Sequence, residues 1–478
     1  MGLAVAAAGV LPLNGCVRYR PLPQPGLEPS RAAAEYSARR LDDSSMVAVL
    51  AGAGVPATDS GWDEDQLALA ALHFRGELPA AAAVVAEARA AEQTAGVRPG
   101  VGVDGSVTRT ARPLQNAGSS WSEALTATVT VELGGKRAAR VARAVAVSIA
   151  ARLRAEAVAR QLVGEARQAA LAALAADQEA ADVAAETDAL RALASLLRAR
   201  YAEGQLSLAE VARADADAST AAVAAVDAER ARTDARLALS RALGVTFDRV
   251  DTIRLRASRA SSCDVVDSLT GGPDPREARR RVRDSLAVIA LRGRPDVGAA
   301  VADYAASEAD VRLAVARQYP DLTIGPGILW DEGIPGWVLN VGLPALLPGR
   351  NRGPIAEAQA WRVEQASRVR LLQDSVLAAV DSSVVACHGV RRAVRAADSL
   401  VAVMQRQVDA ASSAYARGET GRTEIAIAQL ALIRARRTRQ VAEARRAAAG
   451  AAVDRAAGRW TQLTERLWLL QTQVQTTR

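Results

Sequence analysis

Few residues of this 478-residue chain could perform chemistry, and their spacing does not favour an enzyme. The two histidines, His73 and His388, lie in distant contexts, and neither accompanies a nucleophile and base pair. Cys387 precedes His388 in a helical stretch, but one further histidine is too few for a convincing metal site. Gly134-Gly135-Lys136 lacks the preceding glycine and the following Ser or Thr of a phosphate loop. We therefore predict no catalytic residues, no cofactor and no metal site.

The cysteines predict no disulfide framework. Cys16, Cys263 and Cys387 show no CxxC spacing, and we expect a structural or incidental role for Cys387. Cys16 follows an apolar stretch and ends Leu13-Asn14-Gly15-Cys16, which is similar to the box at which bacterial lipoproteins are cleaved and lipidated. The positively charged N-terminal region of a usual signal sequence is missing, and Asn14 is larger than the small residue commonly found at its position. We predict export with lipidation on Cys16; the alternative is an ordinary thiol in a differently processed N-terminus.

The basic charge predicts solvated helices and not a nucleic-acid surface. The net charge is +7, and Lys136 is the only lysine, so arginine supplies nearly all of the basic residues. These arginines are spread along helical stretches and alternate with Asp and Glu. Aromatic residues make up only 3% of the chain, which makes a large conventional core improbable and favours alanine-rich helices.

A long helical hairpin occurs twice. Residues 355–457 contain no proline and predict two helices joined at Tyr415-Ala416-Arg417-Gly418, the first about 90 Å long. The same turn occurs 214 residues earlier as Tyr201-Ala202-Glu203-Gly204. In each copy another glycine follows after 40 residues, at Gly244 and Gly458, where the returning helix would end. Landmarks repeated at one offset predict a tandem duplication.

Each repeat also contains two segments that alternate apolar and polar residues, which is the period of a β-strand. Trp121 and Val129 fall on one face of such a segment, and Thr126 and Thr128 fall on the other. Each repeat therefore predicts the order helix, strand, strand, helix, turn, helix. The predicted strands lie at about 100–109, 121–133, 321–330 and 336–345, and the predicted hairpins at about 137–244 and 353–457.

The length, alternation and terminal tryptophans of these strands are typical of outer-membrane barrels, although a soluble antiparallel sheet alternates in the same way. A sheet in lipid must close, because its unpaired backbone groups would be costly. Four strands cannot close alone, whereas three copies would supply twelve. Since no run of about 18 apolar residues occurs, we predict no membrane-spanning helix.

Over roughly residues 60–458, the chain resembles the TolC-like outer-membrane efflux proteins of Gram-negative bacteria. The paired Tyr-x-x-Gly turns, Arg294-Pro295-Asp296 before the second repeat, and two strand-to-helix passages carry the resemblance. The passages at 133–137 and 343–353 look most like the cobalt-zinc-cadmium branch. The resemblance implies a homotrimer with a twelve-stranded barrel and a periplasmic helical tunnel, working with an adaptor protein and an inner-membrane pump.

The resemblance also implies a gate at the second turn, where family members close the periplasmic mouth with a tyrosine and two carboxylates. Tyr415 matches the tyrosine and Glu424 the first carboxylate, but Ile427 occupies the second position and Thr420 replaces the usual basic residue. Three copies of Glu424 around an axis would repel one another and attract cations, and Ile427 would form an apolar constriction. The alternative is that Glu424 is an ordinary solvated residue.

In the first repeat, Tyr201 and Glu210 occupy the equivalent positions, where we expect packing and adaptor docking. Gly204 and Gly418 permit the backbone to reverse between helices.

We predict a mainly α protein with a membrane β-barrel, acting as the passive outer-membrane channel of a tripartite efflux system. Heavy-metal cations are the favoured cargo, and the partners are two further copies, an adaptor, a pump and outer-membrane lipid, without nucleic acid. A drug-efflux or type I protein-secretion duct is the alternative, and a soluble periplasmic coiled-coil scaffold is a remote one. The predicted segments are a signal and lipobox-like segment (1–16), an extended N-terminal segment (17–60), the first repeat (61–245), an irregular equatorial segment (246–279), the second repeat (280–458) and a C-terminal segment (459–478).

Overall fold

The computed structural model describes residues 19, 21, 28–55, 61–109, 111, 120–256, 262–269, 275–331, 333–344 and 351–458. Cys16 and the C-terminal segment 459–478 therefore lie outside the described residues. The helices are α1 (Pro29–Ser37), α2 (Ser44–Gly52), α3 (Glu64–Phe74), α4 (Glu77–Gly96), α5 (Lys136–Ala202), α6 (Leu208–Leu243), α7 (Phe247–Asp251), α8 (Ser262–Leu269), α9 (Pro275–Gly293), α10 (Pro295–Ala316), α11 (Arg352–Ala416) and α12 (Arg422–Ala457). The strands are β1 (Val101–Arg109), β2 (Trp121–Val131), β3 (Leu322–Asp331) and β4 (Ile334–Gly342).

The predicted duplication is present as two hairpins. Helices α5 and α11 contain 67 and 65 residues, about 100 Å each, and the returning helices α6 and α12 contain 36 residues each. Gly204 and Gly418 have φ of 73° and 74°, which a residue with a side chain rarely adopts. Gly244 and Gly458 end the returning helices in the same left-handed conformation. The mainly α fold with four strands is confirmed.

The four strands form one antiparallel sheet in the order β1-β2-β3-β4. Apolar side chains align across it, since Val101 pairs with Val129, Val129 with Ile324, and Ile324 with Val341. The pairing register therefore keeps all apolar residues of the alternating pattern on one face.

The helices lie in the same order as the strands to which they connect. Helix α4 precedes β1, α5 follows β2, α10 precedes β3 and α11 follows β4. Correspondingly, α4 packs on α5, α5 on α10 and α10 on α11. Further along the rods, α6 takes the place of α4 beside α5, and α12 takes the place of α10 between α5 and α11. We call this arrangement the helix row.

Short helices pack on each hairpin near the end of its returning helix, which we call its base. The first base core, around α2, α3, α5 and α6, has as its largest fully buried members Met46, Leu50, Leu67, Leu69, Leu239 and Leu243. The second base core, around α8, α9, α11 and α12, includes Cys263, Val266, Val282, Leu286, Val376, Val380, Val384 and Cys387. Both cores use small or branched side chains on the rods and cover them with short helices.

Two sequence expectations about segments were wrong. Residues 17–60 are not simply extended, because α1 and α2 form there, with Pro29 at the first position of α1, where proline is tolerated. The equatorial segment 246–279 is not irregular, because α7, α8 and the start of α9 lie within it.

The cysteine expectation was also wrong, because Cys263 and Cys387 form a disulfide across a separation of 124 residues. Sequence spacing does not reveal a pair that only the packing of α8 on α11 brings together.

In the described part of the chain, no single helix is both long and apolar enough to cross a membrane; α3 and α4 pass that test only as a pair bent by 55°.

Candidate functional site

The sheet presents two chemically different faces. On the polar face, the Thr128 hydroxyl donates to Asp104 over 3.1 Å, and the Ser122 hydroxyl donates to Asp331 over 2.6 Å. The opposite face is apolar and exposed; Trp337, for example, is 89% exposed. An exposed apolar face of this size normally contacts lipid or another protein.

An ion pair fixes the passage from the sheet to the first rod. Lys136, the only lysine, lies 2.7 Å from Asp321 at the start of β3, and the same carboxylate accepts the Leu133 backbone N–H over 3.2 Å. Arg140 pairs with Glu132, and these hydrogen bonds lower the pKa of the Glu132 carboxyl. The polar contacts therefore connect the start of α5 to the end of β2 and to the start of β3.

At the first turn, Glu210 stabilises the start of α6. Its carboxylate accepts the Ser207 backbone N–H over 2.9 Å and the Ser207 hydroxyl over 2.8 Å, and these bonds lower its pKa. Ser207 in turn accepts the Glu210 N–H, which completes a capping box. Tyr201, at the end of α5, is 43% exposed. Adaptor docking by these residues remains a prediction.

At the second turn, the predicted gate residues lie close in sequence but make separate contacts. Glu424 accepts the Gly421 backbone N–H over 3.0 Å, and Tyr415 accepts a hydrogen bond from Arg422 Nε over 3.0 Å. Ile427, one turn after Glu424 on α12, is half exposed. Within this chain, Glu424 and Tyr415 support the turn itself, and their action as a gate stays a prediction.

The two turns touch each other. Arg200, before the first turn, donates from Nη1 to the Thr423 hydroxyl at the start of α12 over 3.5 Å. Thr420 Oγ1 is buried and has no hydrogen-bond partner among the residues that the structure describes.

Sequence reasoning missed the cross-helix ion pairs, because it treated the arginines as solvated. On α12, Arg434 lies 2.7 Å from Glu186 of α5, and Arg437 binds both Glu179 over 2.9 Å and Glu186 over 3.0 Å. These residues recur at helical spacing on the two helices, which is the signal that could have revealed them. Asp182 lies between the two glutamates, and burial together with nearby Glu179 raises its pKa.

No group of three or more His, Cys, Asp or Glu side chains in the described ranges could hold a metal ion. The structure thus contains two helical turns, ion pairs between the long helices, and a sheet with one polar and one apolar face. These features are structural and do not form a catalytic or metal site in the described ranges.

Comparison with known proteins gives a family match for the first repeat. A family model described as outer membrane efflux protein matches residues 70–245, which is the first repeat from α3 to α6.

Solved structures extend the similarity in fold to both repeats of this chain. It is 21% identical to a membrane protein from Pseudomonas aeruginosa, with a TM-score of 0.62 over 83% of this chain and 92% of that one. The outer membrane protein VceC from Vibrio cholerae is 20% identical, with a TM-score of 0.62 over 83% and 96%. CusC is 17% identical, with a TM-score of 0.63 over 83% and 93%. A search of curated proteins returned no match.

Proposed function

We propose that this chain is an outer-membrane efflux protein, the passive exit duct of a tripartite system, and that it works as a homotrimer with a periplasmic adaptor and an inner-membrane pump. The observation that carries this proposal is the correspondence between the strand order and the helix row, both of which end in open edges. One copy is then a wall segment, and further copies are needed to complete a tube.

In the sheet, β1 and β4 are the open edges, each with one neighbouring strand. Open strand edges expose unpaired backbone groups, and pairing β4 of one copy with β1 of the next would satisfy them. The apolar face would meet lipid, and the polar face, with Asp104 and Thr128, would line the lumen.

The helix row has matching open edges. Among the described residues, α11 makes no substantial contact with α4 or α6, which lie at the other end of the row. Exposed apolar side chains follow one face of α11 at helical spacing: Val363, Leu371, Val385, Leu400 and Val403. The opposite edge also exposes apolar residues: Val84 on α4, and Leu208, Val223 and Val226 on α6. These two edges are suited to pack against each other in neighbouring copies.

The test is the particle mass, measured by light scattering after mild detergent extraction from isolated outer membranes. Three chains per particle are expected. A water-soluble, single-chain protein absent from that membrane would instead favour the scaffold alternative.

A matched pair of variants tests the lateral edge. Val403→Glu on α11 should release single chains, because it places charge on the open face. Ile149→Glu, on a helix inside the row, should leave the mass unchanged; the two positions are 45% and 44% exposed. Equal behaviour of the two variants would contradict the edge assignment.

Heavy-metal cations are the cargo we propose, on the resemblance of residues 133–137 to the cobalt-zinc-cadmium branch. The absence of a metal-holding group in the described ranges suits a duct that leaves selection to the pump. Loss of cobalt, zinc or cadmium tolerance in cells lacking the protein, with drug tolerance retained, would support this cargo; the reverse pattern would favour drug efflux.

Glu424 and Ile427 would lie at the mouth of this duct. Glu424→Ala should reduce cation preference in planar bilayers, because it removes a ring of carboxylates. Unchanged currents and selectivity would exclude Glu424 from the lumen.

A further inference from the structure

The disulfide between Cys263 and Cys387 joins the shortest helix of the second base core to the longest. Cys263 lies on α8, which has eight residues, and Cys387 lies near the middle of α11. Both cysteines are at most 1% exposed and are surrounded by valines of the second base core. The bond is therefore part of the packed base and not a surface link.

Helix α8 also reaches α12. The Ser262 hydroxyl donates to Asp454 over 2.6 Å, and Asp264 pairs with Arg446. With Cys387 on α11 and these two partners on α12, α8 crosses both arms of the hairpin.

Helix α8 is short. Isolated helices of eight residues are unstable in water, so the helix depends on its contacts. Among its side chains that the structure describes, Cys263 and Val266 are the buried ones. In the first repeat, α2 precedes α3 as α8 precedes α9, and α2 buries Met46 and Leu50.

We propose that the Cys263–Cys387 disulfide is a covalent anchor that holds α8 across α11 and α12 and thereby fixes the base of the second hairpin. It takes the place of the buried Met46 and Leu50 of α2 in the first repeat. The anchor rests on the proposed function in one respect, since it requires export to an oxidising compartment.

The chemistry needs an oxidant, which we assign to a thiol–disulfide oxidoreductase in its disulfide form. One cysteine thiolate attacks the disulfide of the oxidoreductase and forms a mixed disulfide. The thiolate of the second cysteine then displaces the oxidoreductase. The two cysteines lose two electrons and two protons, and the oxidoreductase disulfide is reduced to a dithiol.

The experiment uses the full chain, purified in detergent from outer membranes without reductant. Trypsin under non-reducing conditions should yield peptide 260–276 linked to peptide 371–391, which mass spectrometry detects directly. Finding both cysteines as free thiols in a trimeric protein would overturn the anchor while leaving the duct intact.

Amide hydrogen exchange then tests the anchoring role. Reductant should increase exchange in α8 by at least about tenfold, because the helix loses its covalent attachment to α11. Helix α3 is the internal control and should not respond. A linked peptide pair without any change in α8 upon reduction would also overturn the proposal.

A Cys263→Ala, Cys387→Ala double variant separates the bond from the packing of the two side chains. Without reductant it should match the reduced wild type, and reductant should cause no further change. If this variant does not fold, the comparison of oxidised and reduced wild-type protein still decides the question.

Discussion

The two hairpins are alike along their rods and turns but differ in how their bases are held. At the offset of 214 residues, the buried rod positions Ala166, Ala170 and Ala173 of α5 correspond to Val380, Val384 and Cys387 of α11. In the returning helices the relation is reversed, because Leu239 and Leu243 of α6 correspond to Val453 and Ala457 of α12. The larger buried side chains thus lie on the returning helix in the first hairpin and on the longer helix in the second.

This difference in buried volume determines which side chains of the short helices fit against the long helices at each base. Alanines on α5 leave room for large side chains, which α3 supplies as Leu67 and Leu69. Valines on α11 leave less room, and the covering helices supply smaller groups such as Cys263 and Val266. The first base is held by apolar burial, and the second by less burial together with a covalent bond.

The largest effect should come from the first base core. Leu69→Ala should lower the free energy of unfolding by about 4 kcal/mol, because the side chain is fully buried and a cavity would remain. Chemical denaturation in detergent measures the loss. Leu208→Ala, at a position 64% exposed, is the matched control and should cost less than about 1 kcal/mol.

A slightly smaller effect should come from a buried ion pair in the first base. Arg236 binds Asp177 through two nitrogens, at 2.9 and 2.6 Å, and donates to the Val250 carbonyl over 2.6 Å. The corresponding residue of the second repeat is Gly450. Arg236→Met should cost about 3 kcal/mol, because the carboxylate and the carbonyl lose their partner inside the protein.

The control for this variant is Arg241→Met, an exposed position on the same helix. Equal stability of the Arg236→Met and wild-type proteins would mean that apolar burial alone holds the first base.

The parts predicted from the sequence are those that local rules determine. Glycine at 204 and 418 indicated the turns because the left-handed backbone there favours glycine, and period-two alternation indicated the strands. The repeat itself was visible because both hairpins keep the same distances between their glycines. The turn and strand signals depend on residues near one another in the chain, and the repeat is found by comparing two such local patterns.

The parts that were not predicted depend on residues far apart in the chain. Nothing near Cys263 indicates that it would meet Cys387, 124 residues away, and the helical spacing of the arginines on α12 does not identify Glu179 as the partner of Arg437. The short helix α8 was missed because its stability comes from that long-range contact. Of the candidate site, the turn residues were found by resemblance, whereas their capping contacts required the structure.

The second base core should respond less to loss of apolar volume than the first. Val380→Ala removes two methyl groups from a position 1% exposed and should cost about 2 kcal/mol, or half the effect of Leu69→Ala. In the presence of reductant, Val380→Ala should lower the free energy of unfolding by more than the sum of the separate effects of the substitution and of the reductant. The reason is that the disulfide and the core hold the same helix, α8. Strictly additive losses would indicate that α8 does not depend on the disulfide.

The smallest effects should appear at the turns, where the two hairpins differ by one side chain. Glu210 and Glu424 each accept the backbone N–H three residues earlier, but Ser207 adds a second cap at the first turn, and Gly421 has no side chain to do so. Glu210→Ala should therefore raise amide exchange at the start of α6 about twofold, and Glu424→Ala should raise it at the start of α12 by up to about tenfold.

Acidity tests the same contact at the first turn, because hydrogen bonds from Ser207 lower the pKa of Glu210 below its ordinary value of 4.5. A carboxyl whose pKa is lower in the folded state stabilises that state above the unfolded pKa and loses this contribution as the pH falls through the folded pKa. Protection at the start of α6, measured relative to the Glu210→Ala variant, should therefore be constant from pH 7 to about pH 5 and should disappear on further acidification. If the difference between the two proteins persisted at acid pH, the carboxylate would not be the group that caps α6.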